Sequence, residues 1–463
     1  MPDRTDETLY PASAPDNGVP TSVAEAESDT SSPPYRIVRR GGTFESFRHR
    51  TYLLFWSGAL VSNVGTWMQS AVIGLIAYGF RRSDADLALV TFAAQIPNLF
   101  LALPGGVLAD RLDKRKLIIW AQVLLMFQAV VFGVLYVRGD LGASTPVSSL
   151  MLVSVLGLFA GVMTALSFPA WQAMIPDLVP REDLLNAIAL NSAQFQSARM
   201  LGGAAALGVV YLAGQVAGIA DVFWINAVSF LFVIWALWAV RTSPHMPQKR
   251  AVVAREGAWK SLKEGVHYAA THRLIGVVIL STLIMTLVGM PYVFLLPSVA
   301  DKVLGFHTKE QYTNIYTVLF TANGLGALVG ALTVASLPQW VRRERLMRWT
   351  ILATAVVLIA FAFTPWLWLS VALSALAGAC VLTTNSLANT SVQANVPHHL
   401  RGRVMSVYIM CFLGVMPLSA AAFGPLAEIW GPSVAIAVGA AALLLWALFL
   451  IARPSLLTQE AEA

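Results

Sequence analysis

Gly106-Val-Leu-Ala-Asp110-Arg111-Leu-Asp113-Lys114-Arg115-Lys116 joins two apolar runs, Leu87–Ala109 and Leu117–Val137, that contain no Asp, Glu, Lys or Arg. Each run is long enough for a helix across a bilayer core, which takes about 20 residues. The four cations between them suit a loop anchored at a lipid surface. Gly106 permits close helix approach, and Asp110 sets an anion at a helix end. A plain surface loop would need only the cations and leaves Gly-x-Leu-Ala-Asp-Arg unexplained.

The same pattern recurs along the chain. Thr51–Phe80, Leu141–Pro176, Val222–Val240, Leu274–Ala300, Gln311–Val341, Trp349–Leu400, Val404–Ala427 and Ile429–Ala452 also lack the four charged residue types. Trp349–Leu400 is long enough for two spans, with a turn at Thr364-Pro365. Leu184–Gly214 is apolar apart from Arg199 and supplies one more, so the expected count is twelve. The runs are continuous rather than alternating, which excludes a transmembrane β-barrel. With 57% hydrophobic and 12% charged residues over 463 positions, and a mean hydropathy of +0.66, no soluble surface can be built. A soluble enzyme is therefore excluded. Two cysteines, Cys380 and Cys411, exclude a disulfide scaffold and read as small buried hydrophobes.

Lys and Arg in the connections divide 24 to 5 between the two sides, so the positive-inside rule puts both termini in the cytoplasm. The net charge of +6 is orientation charge rather than a sign of nucleic-acid binding. Residues 1–43 read as a disordered polar tail rather than a cleaved signal peptide. Six spans (residues 44–241) precede, and six (274–453) follow, a basic connection (242–273) before a short tail (454–463). In that connection Ala258–His272 reads as an amphipathic surface helix with Trp259, Leu262, Val266 and Tyr268 towards one face. Ala173-Met-Ile-Pro-Asp-Leu-Val-Pro180 is weakly repeated in Thr390-Ser-Val-Gln-Ala-Asn-Val-Pro397, with the Val-Pro pairs 217 residues apart. Parallel halves of this kind are a transporter architecture with the substrate site between them near the midplane.

The segment Gly106–Lys116 resembles the signature between spans 2 and 3 of the major facilitator superfamily, with Asp113 in place of the usual second glycine. Further segments are similar to the transmembrane secretion effector group, which includes siderophore exporters and macrolide-efflux-like proteins. They are Phe47-Arg-His-Arg-Thr-Tyr-Leu, Leu103-Pro-Gly-Gly, Ile175-Pro-Asp-Leu-Val-Pro-Arg-Glu-Asp-Leu-Leu-Asn-Ala187 and Ser197-Ala-Arg-Met-Leu-Gly202-Gly203. The resemblance implies an all-α fold of twelve helices in two bundles, with spans 1, 4, 7 and 10 around a central cavity. It also implies that Gly106, Asp110, Arg111, Lys114 and Arg115 act in conformational switching, Asp110 facing the start of span 11.

Polar residues concentrate in spans 1, 8 and 10, and polar groups in hydrocarbon line wet cavities or bond between helices. Asn63, Trp67, Gln69, Phe168, Tyr292, Asn323 and Asn385 are the candidate cavity residues, with helix packing and lipid-interface anchoring as the alternatives. Arg199, the one basic residue deep in a span, is a functional candidate, set against snorkelling to the surface. Spans 1, 4, 7 and 10 carry no acid at membrane depth, so proton coupling follows from the resemblance, with Asp110, Asp177 and Glu428 as candidate proton sites. No Gly-x-x-x-x-Gly-Lys-Ser/Thr is present for ATP, and His398-His399 lacks the further ligands of a metal site. The expectation is a monomeric, cofactor-free, proton-driven exporter of hydrophobic or siderophore-like molecules in a bacterial cytoplasmic membrane. A metabolite importer of the same fold and a non-transporting membrane sensor remain the alternatives.

Overall fold

The computed structural model describes residues 44–141, 146–180, 182–240, 258–338 and 341–457. The helices are α1 (Arg50–Arg81), α2 (Asp84–Arg111), α3 (Lys114–Val137), α4 (Pro146–Met174), α5 (Leu184–Ala213), α6 (Gln215–Ala239), α7 (Ala258–Thr271) and α8 (Arg273–Ile284). They continue as α9 (Leu296–Ser298), α10 (Lys309–Ala335), α11 (Arg343–Phe363), α12 (Leu367–Asn395), α13 (His398–Ile409), α14 (Met416–Trp430) and α15 (Pro432–Ala452). No strand occurs among the described residues.

Among the described residues, ten helical segments are long and apolar enough to cross a membrane. α2 and α5, where spans 2 and 5 are expected, are helices of 28 and 30 residues outside those ten. α2 contains Pro97 and Pro104, and α5 carries Asn186, Asn191, Gln194, Gln196 and Arg199 along its length. Helix starts follow the local chemistry. Ser83 caps α2 by accepting from the Asp86 N–H at 3.2 Å, and Asp113 caps α3 by accepting from the Lys116 N–H at 3.0 Å. Gly214 and Gly431, at φ of 81° and 85°, make the reversals from α5 to α6 and from α14 to α15.

Span 7, expected as one run, is broken. After α8 the chain makes a wide π turn (Met285–Gly289), a tight turn (Pro291–Val293), α9 and a second wide turn (Val299–Val303). Pro291 and Pro297 each remove one N–H from the i→i−4 ladder within this stretch, which favours the turns seen there. α13 and α14 are parted by a similar wide turn, Met410–Gly414.

α1 packs on α5 and α6, α2 on α4, and α3 on α4 and α6, while α10 packs on α12 and α11 packs on α12 and α15. The helices before α7 meet those after it mainly through α5 with α10 and α2 with α14. α7 lies on α13: a Cβ on Gly265 would come within 3.0 Å of Val407 Cγ2, and Glu264 pairs with Arg403. Leu262, Gly265 and Ala269 form its buried face. Val266 is exposed, contrary to the sequence expectation, because α13 covers the adjacent stripe. The Trp259 side chain lies outside the described residues.

Candidate functional site

α1 carries two polar faces, which a linear reading merges. Gly58, Ser62, Gly65 and Gln69 are buried. Gln69 donates to Gln128 Oε1 of α3 at 3.1 Å and accepts from Asn226 Nδ2 of α6 at 2.8 Å. Gln69, expected as a cavity residue, is placed by these bonds between α1, α3 and α6. Asn63, Trp67 and Ser70 recur at the spacing of neighbours on another helix face, with Thr66 beside them. That face is open: Thr66 and Ser70 are exposed, and Asn63 and Trp67 half-buried. The two hydroxyls bond back to carbonyls four residues earlier, at 3.0 and 2.9 Å, leaving a wettable surface without disturbing the helix.

Arg199 faces this surface. It is the sixteenth residue of thirty in α5, so about 20 Å of helix lies on either side of it. No side chain spans that distance, and the tip turns across the molecule. Nη2 donates to Asn323 Oδ1 of α10 at 2.7 Å, and the guanidinium lies 5.3 Å from the Trp67 ring centroid and 5.8 Å from that of Phe320. Both distances suit cation–π contact. Asn323 is fully buried, and its amide hydrogens are committed to Tyr292 Oη at 2.6 Å and the Ser374 carbonyl at 3.1 Å. Its oxygen therefore has a fixed direction, towards Arg199. α5 and α10 approach closely here because Gly203 faces Thr321 and Gly324 faces Met200.

Of the other cavity candidates, Trp67, Tyr292 and Asn323 come together around Arg199. Phe168 is half-buried on α4, away from any aromatic or polar partner among the described residues. Asn385 is buried on α12, where its backbone carbonyl accepts from Tyr408 Oη at 3.0 Å and its side-chain Oδ1 has no partner among the described residues.

A second constellation lies at the end of the molecule where α1 passes into α2. Asp301 is buried and accepts from Tyr78 Oη at 2.8 Å, with Arg82 at 3.4 Å and His307 Nδ1 at 3.0 Å. Arg82 also donates to the His307 carbonyl. Asp84, fully buried, holds Lys302 Nζ at 2.7 Å. Glu428, at the end of α14, accepts from the Asp84 N–H at 2.7 Å, the Ala85 N–H at 3.3 Å and Ser83 Oγ at 3.1 Å. A carboxylate from one part of the chain thus satisfies the exposed donors and positive end of α2 in the other. Each of these bonds except that from His307 ties the α1–α2 corner to residues beyond 300. Sequence reasoning named Glu428 alone of this set; the rest look like ordinary connection charges until folding brings them together.

The Gly106–Lys116 segment lies at the opposite end. Lys114 bonds the Ala173 carbonyl at 2.9 Å and Asp177 at 2.7 Å, and Arg115 bonds the carbonyls of Leu237 and Trp238, so both cations sit at the negative ends of α4 and α6. Arg111 is exposed, and no described heavy atom lies within 4 Å of where a Cβ would stand on Gly106 or Gly402. The Asp110 side chain lies outside the described residues, as do those of His398 and His399.

The sequence profile described as transmembrane secretion effector matches residues 41–463. Enterobactin exporter EntS of Escherichia coli O1:K1 / APEC is 28% identical over 304 residues, covering 66% of this chain and 68% of the relative. EntS of Citrobacter koseri is 27% identical over 347 residues, covering 75% and 78%. Among solved structures, a D-xylose-proton symporter superposes with a TM-score of 0.66 at 15% identity, covering 88% of this chain and 97% of that one. A bacterial homologue of the iron transporter ferroportin, in an inward-facing state, gives 0.65 at 16% identity, covering 87% and 98%. At such identities the two structures speak to fold alone.

Proposed function

The chain belongs to the transmembrane secretion effector family of the major facilitator superfamily, and from that premise we propose that it is a proton-driven exporter of hydrophobic or siderophore-like small molecules working by alternating access. In this reading twelve spans form two six-helix bundles, residues 44–241 and 274–453, joined by the linker 242–273. Both termini face the cytoplasm, and a single chain is the working unit. EntS relatives are enterobactin exporters by name, which supports export of a siderophore-like molecule.

The observation that carries the proposal is the set of bonds that joins the two parts of the chain to one side of Arg199. Tyr78, Arg82 and the start of α2 are held by Asp301, His307, Lys302 and Glu428, and these bonds knit that end shut. A site midway between two bundles, closed from one side at a time, is the requirement of alternating access. Protonating Asp84 or Glu428 removes the charge that Lys302 or the start of α2 holds, and so loosens the closed end. A proton arriving from outside would then favour outward opening.

The test is accumulation of fluorescent amphiphiles and catecholate siderophores in cells with and without the protein. Lower accumulation in expressing cells, abolished by a protonophore, is the expected result. Reduced accumulation that survives the protonophore removes proton coupling, and raised accumulation reverses the direction. Orientation is checked by cysteine labelling from outside. Arg138→Cys and Thr308→Cys, both at exposed positions, are expected to react in intact cells, and Asp113→Cys and Arg345→Cys only after permeabilisation. The inverse pattern turns the molecule over. Ser83 is a poor probe because it is buried against Glu428.

A further inference from the structure

The interior cation is electrically unfinished. Arg199 has no carboxylate within 4 Å among the described residues, and its bonded partner is the neutral amide of Asn323. Nε is buried with no partner. A guanidinium carries five donors in a rigid fork, matched to the two oxygens of a carboxylate or of deprotonated vicinal hydroxyls. Holding such a group at the middle of a span with one neutral acceptor is costly, and a counter-charge relieves that cost.

The surroundings specify more than charge. The Trp67 and Phe320 rings flank the guanidinium, and Phe195 stacks edge-on to Trp67 at 5.7 Å. Beside them runs the open face of α1 with Asn63, Thr66 and Ser70. Flat apolar walls next to a cation, with hydroxyls and an amide along one edge, suit a planar aromatic anion.

We propose that Arg199 is the anchor for an anionic group on the transported molecule, with Trp67 and Phe320 receiving the aromatic part that bears it. This rests on the reading of the chain as a transporter and names the substrate class of that same site. Binding is coupled to movement through Asn323. The Arg199–Asn323 bond crosses from α5 to α10, so an anion that draws the guanidinium away releases one tie between the two parts of the chain. The Asn323 hydrogen bonds to Tyr292 and Ser374 keep the amide oxygen in place to recapture Arg199 when the anion leaves.

The experiment uses the full-length purified protein in lipid nanodiscs and two probes of one shape, 2-naphthoate and neutral 2-naphthamide, by isothermal titration calorimetry. Naphthoate is expected to bind the wild type with a Kd of about 1 mM or tighter, within reach of a fragment of that size. It should bind about tenfold tighter than naphthamide, the usual margin of a charge-assisted bond over a neutral one. Arg199→Gln should abolish that margin while leaving naphthamide binding unchanged, which a merely structural role for Arg199 would not do. Arg199→Lys should restore part of it. Equal binding of the two probes by the wild type, no naphthoate binding, or a margin that survives in Arg199→Gln each overturns the proposal. Failure of the export assay with the naphthoate margin intact removes the transporter reading and keeps the anion site. The converse removes the anion site alone.

Discussion

Lys302→Met is expected to open the end of the molecule at which Asp84 is buried. Asp84 is fully buried, and Lys302 is the cation that meets its carboxylate, at 2.7 Å. Removing one partner of a buried pair leaves an uncompensated charge, which costs about 3 kcal/mol at the lower end of the usual range. The lower end applies because Lys302 is itself half-exposed. The cost falls only on the closed arrangement, since opening returns Asp84 to water. An equilibrium biased by that amount moves by roughly a hundredfold. Spin labels at Arg138 and Thr308, both exposed and on opposite sides of the closed end, should report a longer separation in the variant. Labels at Asp113 and Arg345 should report a shorter one. Adding Asp84→Asn to Lys302→Met removes the stranded charge and should recover most of the wild-type distribution. Unchanged distances in the single variant would show that the Asp84–Lys302 pair does not hold this end closed.

How much of this was readable beforehand follows from what a linear pattern can encode. Continuous apolar runs locate helices because membrane thickness sets their length, and α5, interrupted by Arg199 and several amides, is the weakest of them. Arg199 was conspicuous because one charge interrupts an otherwise apolar run, and its candidacy needed no knowledge of its neighbours. The helix face of a polar residue was not readable. Gln69 and Asn63 lie six residues apart in the same span, yet one bonds to α3 and α6 while the other borders open space. Telling them apart requires knowing where α6 lies, which is a matter of packing. The closed end was least legible, because Asp84 and Glu428 meet across 344 residues and each by itself is a carboxylate at a loop. The break in span 7 falls in the stretch that holds Pro291 and Pro297, which the length of the apolar run conceals.

Two glycine substitutions are expected to separate folding from switching. Gly326 of α10 faces Ala375 of α12, and a Cβ there would stand against the Ala375 carbonyl oxygen, deep inside van der Waals contact. Both helices belong to the same part of the chain, and a backbone oxygen within a helix cannot swing aside. Gly326→Leu should therefore fail to give monodisperse protein, since overpacking costs about 1–3 kcal/mol even where neighbours can shift and more where they cannot. Gly424 of α14 faces Ala88 of α2, and an added Cβ would collide with the Ala88 Cβ. Here the clash lies across the contact between the two parts of the chain, beside the Glu428 cap, and it is relieved when the parts separate. Gly424→Leu should leave yield and thermal unfolding near wild type yet lengthen the Arg138–Thr308 separation as Lys302→Met does. Size-exclusion profiles and thermal unfolding test the first expectation, and label distances the second. If both variants aggregate alike, the α2–α14 contact is part of one indivisible core, and two rigid bundles moving about Arg199 is the wrong description of this molecule.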